Sequence, residues 1–295
     1  MSPVSGGFWR PAVIGLAVAA LLFLAACGSV HGQPASGSTT SASTASASTG
    51  SASPPPASPG SARQAVLAAA IRAPRITSAI TTLQVRTDTG VGPTGVETGT
   101  IRYRTKPTLI ISEDLHTHGS GPMTETKTIL TRGRVYSNEL SRTAGGGEIW
   151  LDLPPRTFQF QLQDLQDENF TGQAQLFAAD PDPHMVGTQT IGGVPTTEYA
   201  GSFRASDALR VLAARALPAS LRKILGSRLA GMEDSVVSFR EWLDGQHNVR
   251  RAVETETGGL VTVTTINVTA IDQPIRIALP PASPSLPGQV PGAGT

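Results

Sequence analysis

The chain of 295 residues contains a single cysteine, Cys27, so no disulfide can form within it. Charge is sparse and balanced, with 23 Lys and Arg against 22 Asp and Glu. Removing a leader that carries only Arg10 would leave 22 residues of each sign. A neutral chain offers no electrostatic basis for binding nucleic acid, and we expect no such partner.

The chain also lacks a hydrophobic run long enough to span a bilayer, which takes roughly 20 apolar residues. Ala12–Ala26 is apolar or glycine throughout but shorter than that, which is typical of a signal-peptide core. Leu24, Ala25 and Ala26 then precede Cys27 in the pattern of a bacterial lipobox. In that pathway the thiol receives a diacylglyceryl group, and cleavage makes the cysteine the new amino terminus. The alternative is an ordinary secretory or membrane segment with an incidental cysteine.

We therefore expect residues 1–26 to be a lipoprotein signal peptide and Cys27 to anchor the protein on the extracytoplasmic face of the membrane. Residues 28–60 contain no Lys, Arg, Asp or Glu and almost no large apolar side chain, which predicts that they are disordered. With the lipidated Cys27, residues 27–60 are therefore predicted to form a flexible tether. Residues 280–295 contain five prolines and no charge, which predicts a disordered tail. A single folded domain is expected over residues 61–279.

Most of this domain has the period-two pattern of β-strands. In "VETGTIRYRT", Ile101 and Tyr103 alternate with Arg102 and Arg104, which predicts a half-buried strand. Gly192-Gly193 predicts the two-residue turn of a hairpin. About nine to eleven strands follow one another in hairpin order, which indicates an antiparallel sheet.

Helices are predicted at four places. "SARQAVLAAAIR" begins at Ser61 and ends before Pro74, and residues 157–179 are interpreted as mostly helical. "SDALRVLAARAL", over residues 206–217, is apolar over most of its surface, which predicts a buried helix. A second helix is expected through "ASLRKILGSRLAG" after Pro218. The predicted class is α+β, a curved antiparallel half-barrel wrapped over helices.

An apolar cavity is expected between this sheet and the alanine-rich helix, because small side chains facing a curved sheet leave volume. The alternative is a solid core. The candidate cavity-lining residues are Ile101, Tyr103, Ile110, Leu209, Leu212, Ala213, Leu217 and Phe239.

None of the catalytic or metal-binding patterns is complete. "GVGPTG" at residues 90–95 precedes a predicted strand instead of the helix that a nucleotide loop requires. His116 and His118 share a strand face but lack a third ligand nearby, and "DPDP" at residues 180–183 predicts a turn. Glu241 and Asp244 fall on opposite strand faces and are interpreted as rim charges. There is no G-x-S-x-G elbow, so we expect no enzyme, cofactor or metal.

The hairpin "GVPTTEY", from Gly193 to Tyr199, and the later "WLDGQHNVRR", from Trp242 to Arg251, resemble motifs of actinobacterial LppX/LprG-type lipoproteins. Members commonly have glycine before the valine of the second motif, where this chain has Asn248. The family is related in fold to the LolA and LolB carriers. The resemblance implies a curved antiparallel sheet around helices and a role in binding or carrying lipids or lipoglycans.

The expected function is therefore that of a monomeric, membrane-anchored extracytoplasmic lipoprotein that binds a lipid or lipoglycan in an apolar cavity. The alternative is an interaction or signalling lipoprotein with a solid core and no ligand.

Overall fold

The computed structural model describes residues 59–88, 93–119, 123–138, 150–153, 155, 157–158, 161–162, 165, 169–280 and 286–287. The predicted signal peptide, Cys27, nearly all of the predicted tether and most of the predicted tail lie outside these residues. Among the described helices, none combines the length and hydropathy of a membrane span.

The sheet is open and almost entirely antiparallel, with the order β12-β6-β5-β4-β3-β2-β1-β11-β10-β9-β8-β7. Its antiparallel strands are β1 (Ser78–Asp88), β2 (Pro93–Arg104), β3 (Ile110–Gly119), β4 (Thr124–Thr131), β5 (Arg134–Ser137), β6 (Leu151–Leu153), β7 (His184–Ile191), β8 (Val194–Arg204), β9 (Val236–Asp244), β10 (Val249–Thr257) and β11 (Val261–Ile271). A two-residue strand, β12 (Leu286–Pro287), pairs in parallel with β6. The predicted α+β class, strand number and hairpin order are confirmed.

Four α-helices have their bounds within the described residues: α1 (Pro59–Arg72), α2 (Phe170–Phe177), α3 (Ala205–Val211) and α4 (Ala219–Ala230). Residues 155, 157, 158, 161, 162 and 165 are also helical, which together with α2 agrees with the mostly helical interpretation of residues 157–179 where they are described. α1 begins at Pro59, so Ser61 lies inside its first turn instead of capping it. Asn169 caps α2, because its side-chain oxygen accepts hydrogen bonds from the amides of Thr171 and Gly172 at 2.8 and 3.1 Å.

One face of the sheet, the inner face, packs against these helices and forms the core. Strand residues of the inner face that are buried in this core are Ala79, Leu83, Ile101, Ile111, Leu130, Val135, Val237, Phe239, Ala252 and Ile266. α1 contributes the buried stripe Ala62, Ala65, Val66, Ala69 and Ala70, whose spacing is that of one helix face, and the buried Ala73 lies in the 3-10 turn that follows α1. The alternation predicted for β2 is confirmed, since Ile101 is 4% exposed and Arg102 points to the opposite, outer face.

The helix predicted over residues 206–217 is shorter than expected and is not buried all round. α3 ends at Val211, a 3-10 turn covers Leu212–Ala214, and Arg215 is extended. Val211 is 42% exposed. The chain leaves the helix because the buried Arg215 guanidinium donates to the carbonyl oxygens of Ala178 and Ala179.

The segment before β1 and the residue after β11 are hydrogen-bonded to each other at one end of the sheet. The Arg72 side chain at the end of α1 donates to Asn248 Oδ1 at 3.1 Å and to Asp272 Oδ2 at 2.9 Å. The backbone amide of Thr77 donates to Asp272 Oδ1 at 2.6 Å. These bonds join the entry into β1 to the residue that directly follows β11.

Candidate functional site

Six of the eight predicted cavity residues contact the interior between sheet and helices. Ile101, Leu212, Leu217 and Phe239 are buried in the core, while Tyr103 and Leu209 are partly buried and pack against it. All six therefore point toward the predicted site, but they do so as packed core residues.

The side chains of this interior interdigitate through aromatic contacts. Tyr103 stacks on Phe170 of α2 with ring centroids 5.8 Å apart, and its hydroxyl donates to the carbonyl oxygen of Ile76 at 3.2 Å. Phe239 stacks on Phe177, the last residue of α2, at 4.3 Å with nearly parallel rings. α2 is thus held against the sheet at both of its ends.

Two of the predicted lining residues were placed on the wrong side. Ala213 is exposed to solvent in the 3-10 turn that follows α3. Ile110 pairs with Arg104 and Thr131 on the outer face, because the phase of the alternation is set anew after the loop between β2 and β3. Its neighbour Ile111 takes the inner position instead.

Two grooves of the described residues lie on the outer face. One, of about 520 Å³, is lined by Arg104, Pro274, Ile275 and Arg276. A smaller one, of about 210 Å³, is lined by Arg104, Pro107, Thr108, Ile110, Thr131, Arg132, Ile277 and Leu279. Neither groove reaches the space between the sheet and the helices.

The inner face has a feature that none of the predicted lining residues accounts for, the carboxyl group of Glu241. Glu241 is 0% exposed, and neither of its oxygens has a hydrogen-bond partner among the described residues. It lies between Tyr199 of β8 and Ala252 of β10 in the strand register. Burial raises the pKa of Glu241 to about 8, so the carboxyl group is mostly protonated at neutral pH.

A second buried carboxyl group lies diagonally across from it, on β10. Glu254 is opposite Phe239, one inner-face position along β9 from Glu241. Arg228 of α4 approaches Glu254 Oε2 at 3.8 Å and also donates to the carbonyl oxygen of Gly172 at 2.7 Å. Burial raises the pKa of Glu254, and the charge of Arg228 opposes that rise.

The helix above these strands supplies one more buried polar group. Gln173 of α2 is 3% exposed and hydrogen-bonds to Glu254, but its side-chain carbonyl oxygen has no partner in the described part of the chain. Glu241, Glu254, Gln173 and Arg228 are called the inner-face polar cluster below. The unpartnered atoms of this cluster are carboxyl and amide oxygens, which accept hydrogen bonds. The one additional donor is the hydroxyl group of Glu241 when its carboxyl group is protonated.

The interpretation of Glu241 as a rim charge is wrong, although its opposition to Asp244 is confirmed by the register. A signal was present in the sequence, because Val237, Phe239 and Glu241 follow one another at period two on the apolar face of β9. Asp244, in contrast, accepts hydrogen bonds that shape the loop after β9. Burial alone would raise its pKa, but hydrogen bonds from Asn248, Gln246 and Arg250 hold the pKa below its usual range.

The outer face of the same strands carries arginine. Trp242 is 3% exposed because the guanidinium groups of Arg240 and Arg251 cover its ring at 5.2 and 5.0 Å. Arg240 also pairs with Glu198 of β8 at 2.6 Å. On these strands Arg240 and Arg251 therefore lie on the outer face, whereas Glu241 and Glu254 lie on the inner face.

Of the remaining sequence motifs, the histidine pair lies away from the inner face, whereas Asp180 of "DPDP" lies beside Gly201 of that face. His116 and His118 are on the outer face of β3, and within the described ranges no group of three metal-ligating side chains forms. β2 begins at Pro93, so a strand follows the glycine-rich "GVGPTG" as expected. Residues 180–183 form a bend that leads into β7, as predicted.

The chain is similar in structure to two solved mycobacterial lipoproteins. The LprF lipoprotein from Mycobacterium bovis matches with a TM-score of 0.50 and 14% identity, over 75% of this chain and 97% of that one. The lipoprotein LppX from Mycobacterium tuberculosis matches with a TM-score of 0.43 and 15% identity, over 75% of this chain and all of that one. The match to LprF confirms the resemblance inferred from the hairpin motifs at the level of the fold. No family model and no curated protein matches the sequence.

Proposed function

We propose that this chain is a lipid-anchored lipoprotein whose LolA-like domain binds an amphiphile between the inner face of the sheet and the helices. Anchoring would occur through a diacylglyceryl group on Cys27, on the extracytoplasmic face of the membrane. We further propose a monomer with a binding role instead of a catalytic one, since the sequence contains no nucleophile elbow.

The observation that carries this proposal is that alanine-rich helix packing lies in the same interior as the unpartnered oxygens of the inner-face polar cluster. The buried stripe of α1 consists largely of alanine, as in Ala65, Ala69 and Ala70, and Ala174 of α2 lies in the same core. Alanine makes few dispersion contacts compared with larger side chains. Separating these helices from the sheet therefore costs less than separating helices that pack through leucine.

Entry of a ligand requires such a separation, because Glu241 and Gln173 are closed off from solvent. Acyl chains that enter would gain roughly 25 cal/mol for each Å² of apolar surface removed from water. They would contact Phe239, Ile101 and Tyr103, which already line this interior.

Two measurements test the proposal. Membrane fractionation should find the wild-type chain in the membrane and a Cys27→Ser variant released from it, since the variant lacks the thiol that is acylated. Native mass spectrometry of detergent-free protein should show the mass of a bound lipid beyond that of the anchor. A Cys27→Ser protein that carries no lipid, even after incubation with vesicles, would contradict amphiphile binding.

The second candidate is an interaction or signalling lipoprotein without a ligand. The continuity of the packed core and the position of both grooves on the outer face favour it. It predicts a protein that stays lipid-free in the same measurement while it retains its fold and its membrane anchor.

A further inference from the structure

The headgroup that this interior can accept follows from the charges of the inner face, provided that the proposed amphiphile binding holds. Within the described strands, every charged side chain at an inner-face position is a glutamate: Glu97, Glu113, Glu241, Glu254 and Glu256. The arginines of the neighbouring strands, such as Arg102, Arg240 and Arg251, occupy outer-face positions.

The cation that approaches Glu254 is already engaged, and the buried guanidinium of Arg215 faces Asp180 instead. Arg228 contacts Glu254 and the carbonyl oxygen of Gly172. An anionic headgroup at Glu241 would therefore meet carboxyl groups and carbonyl oxygens in a medium of low dielectric constant, where repulsion between like charges is strong.

The buried polar groups that lack partners in the described residues include two acceptor groups on different elements. Glu241 of β9 has two unpartnered oxygens, and Gln173 of α2 has an unpartnered carbonyl oxygen. Buried polar atoms in folded proteins are nearly always hydrogen-bonded, so a strand and a helix that each present such an atom to the interior indicate a missing partner. The partner must donate hydrogen bonds to these acceptors and can accept one from a protonated carboxyl group.

We infer that the inner-face polar cluster binds the uncharged, hydroxyl-bearing headgroup of an amphiphile and rejects phosphate and carboxylate headgroups. A hydroxyl group donates to Glu241 or to Gln173 Oε1 and accepts the Glu241 proton. A phosphate monoanion or dianion offers acceptors to a site that already has too many of them.

Two lipids with the same acyl chains test this inference, dioleoylglycerol with a free hydroxyl group and dioleoyl phosphatidic acid with a phosphate in its place. Binding is measured by native mass spectrometry on delipidated full-length protein that carries Cys27→Ser. The wild-type interior should bind the diacylglycerol at least about tenfold more tightly than the phosphatidic acid. Glu241→Gln should keep this preference, since an amide still donates and accepts.

Glu241→Leu removes the hydrogen-bonding group and should reduce the preference by about tenfold. Glu256→Gln is the matched control, because Glu256 shares the inner face but is bonded to Ser235 at 2.7 Å. It should leave the preference unchanged.

The outcomes separate this inference from the function on which it rests. Equal or tighter binding of the phosphatidic acid by the wild-type interior would overturn the headgroup assignment and leave amphiphile binding intact. Binding of neither lipid would contradict the proposed function itself, and the headgroup assignment with it. Since the wild-type comparison alone decides the matter, an unfolded Glu241→Leu variant would not prevent a result.

Discussion

Replacing Glu241 by glutamine should change how the stability of the delipidated protein depends on pH. The pKa of Glu241 is raised by burial from 4.5 to about 8. The folded state therefore retains a proton that the unfolded chain releases, and stability decreases as the pH rises through this window. At about 1.4 kcal/mol per pH unit, the wild-type free energy of unfolding should fall by about 3–4 kcal/mol between about pH 5 and about pH 8 through this group.

Glu241→Gln cannot ionise and should lack this component. The difference between the two proteins isolates Glu241, because Glu254 is common to both and shifts in the same direction. Urea unfolding at a series of pH values gives the free energies, provided that the slope with denaturant stays the same. We expect the two proteins to be similar near pH 5 and the variant to be more stable near pH 8.

The matched control is Glu233→Gln, an exposed residue in the turn between α4 and β9. It should follow the wild-type profile. If Glu241→Gln and the wild type gave parallel profiles over this range, then Glu241 would not be a desolvated, unpartnered carboxyl group. The physical basis of the inner-face polar cluster would then be refuted.

Two further substitutions test the packing around the inner face and the loop after β9. Gly201→Ala should lower the free energy of unfolding by about 1–3 kcal/mol, because a Cβ there would overlap Asp180 Oδ2 and lie 2.8 Å from the Phe239 ring. Gly187→Ala on β7, where nothing lies within 4 Å, should have little effect, and thermal unfolding of both variants measures the difference. Asp244→Asn should cost about 1–3 kcal/mol near neutral pH. The difference should disappear as the pH falls through the lowered pKa of Asp244, and a difference independent of pH would contradict the role given to its carboxylate.

The sheet could be predicted from the sequence because its strands obey a local rule. Ile101 and Tyr103 alternate with arginines, so their face follows from period two alone. The turn could be predicted at Gly192-Gly193 because glycine tolerates positive φ. Both glycines adopt it in the structure, with φ of 57° and 81°. Neither inference depends on what packs above the strand.

The errors arose where a local pattern leaves two solutions. Ile110 and Ile111 are adjacent and both apolar, so alternation cannot say which one faces inward once a loop has interrupted the phase. The helix that became α3 was predicted to reach residue 217 because the sequence stays rich in alanine to that point. It ends at Val211, and the Arg215 side chain donates hydrogen bonds to the carbonyl oxygens of Ala178 and Ala179. These carbonyl groups are distant in the sequence, so helix propensity contains no information about the contact.

Glu241 could not be assigned from the sequence for a related reason. A glutamate in a strand is expected at the surface, whereas Glu241 is completely buried by tertiary packing. The periodicity of β9 placed it on the apolar face, but only the structure shows that its oxygens lack partners there.

The pairing of β1 with β11 places the first strand of the domain beside the last long one, with Ala79 opposite Ile271. β1 through β6 and β7 through β11 can each assemble from neighbouring hairpins as the chain emerges. The centre of the sheet, however, forms only after residue 271 is available, and closing so long a loop slows folding. A chain exported from its amino terminus would thus expose one edge of β1 until its final strand arrives, and this interval is when it would be most exposed to proteases and aggregation.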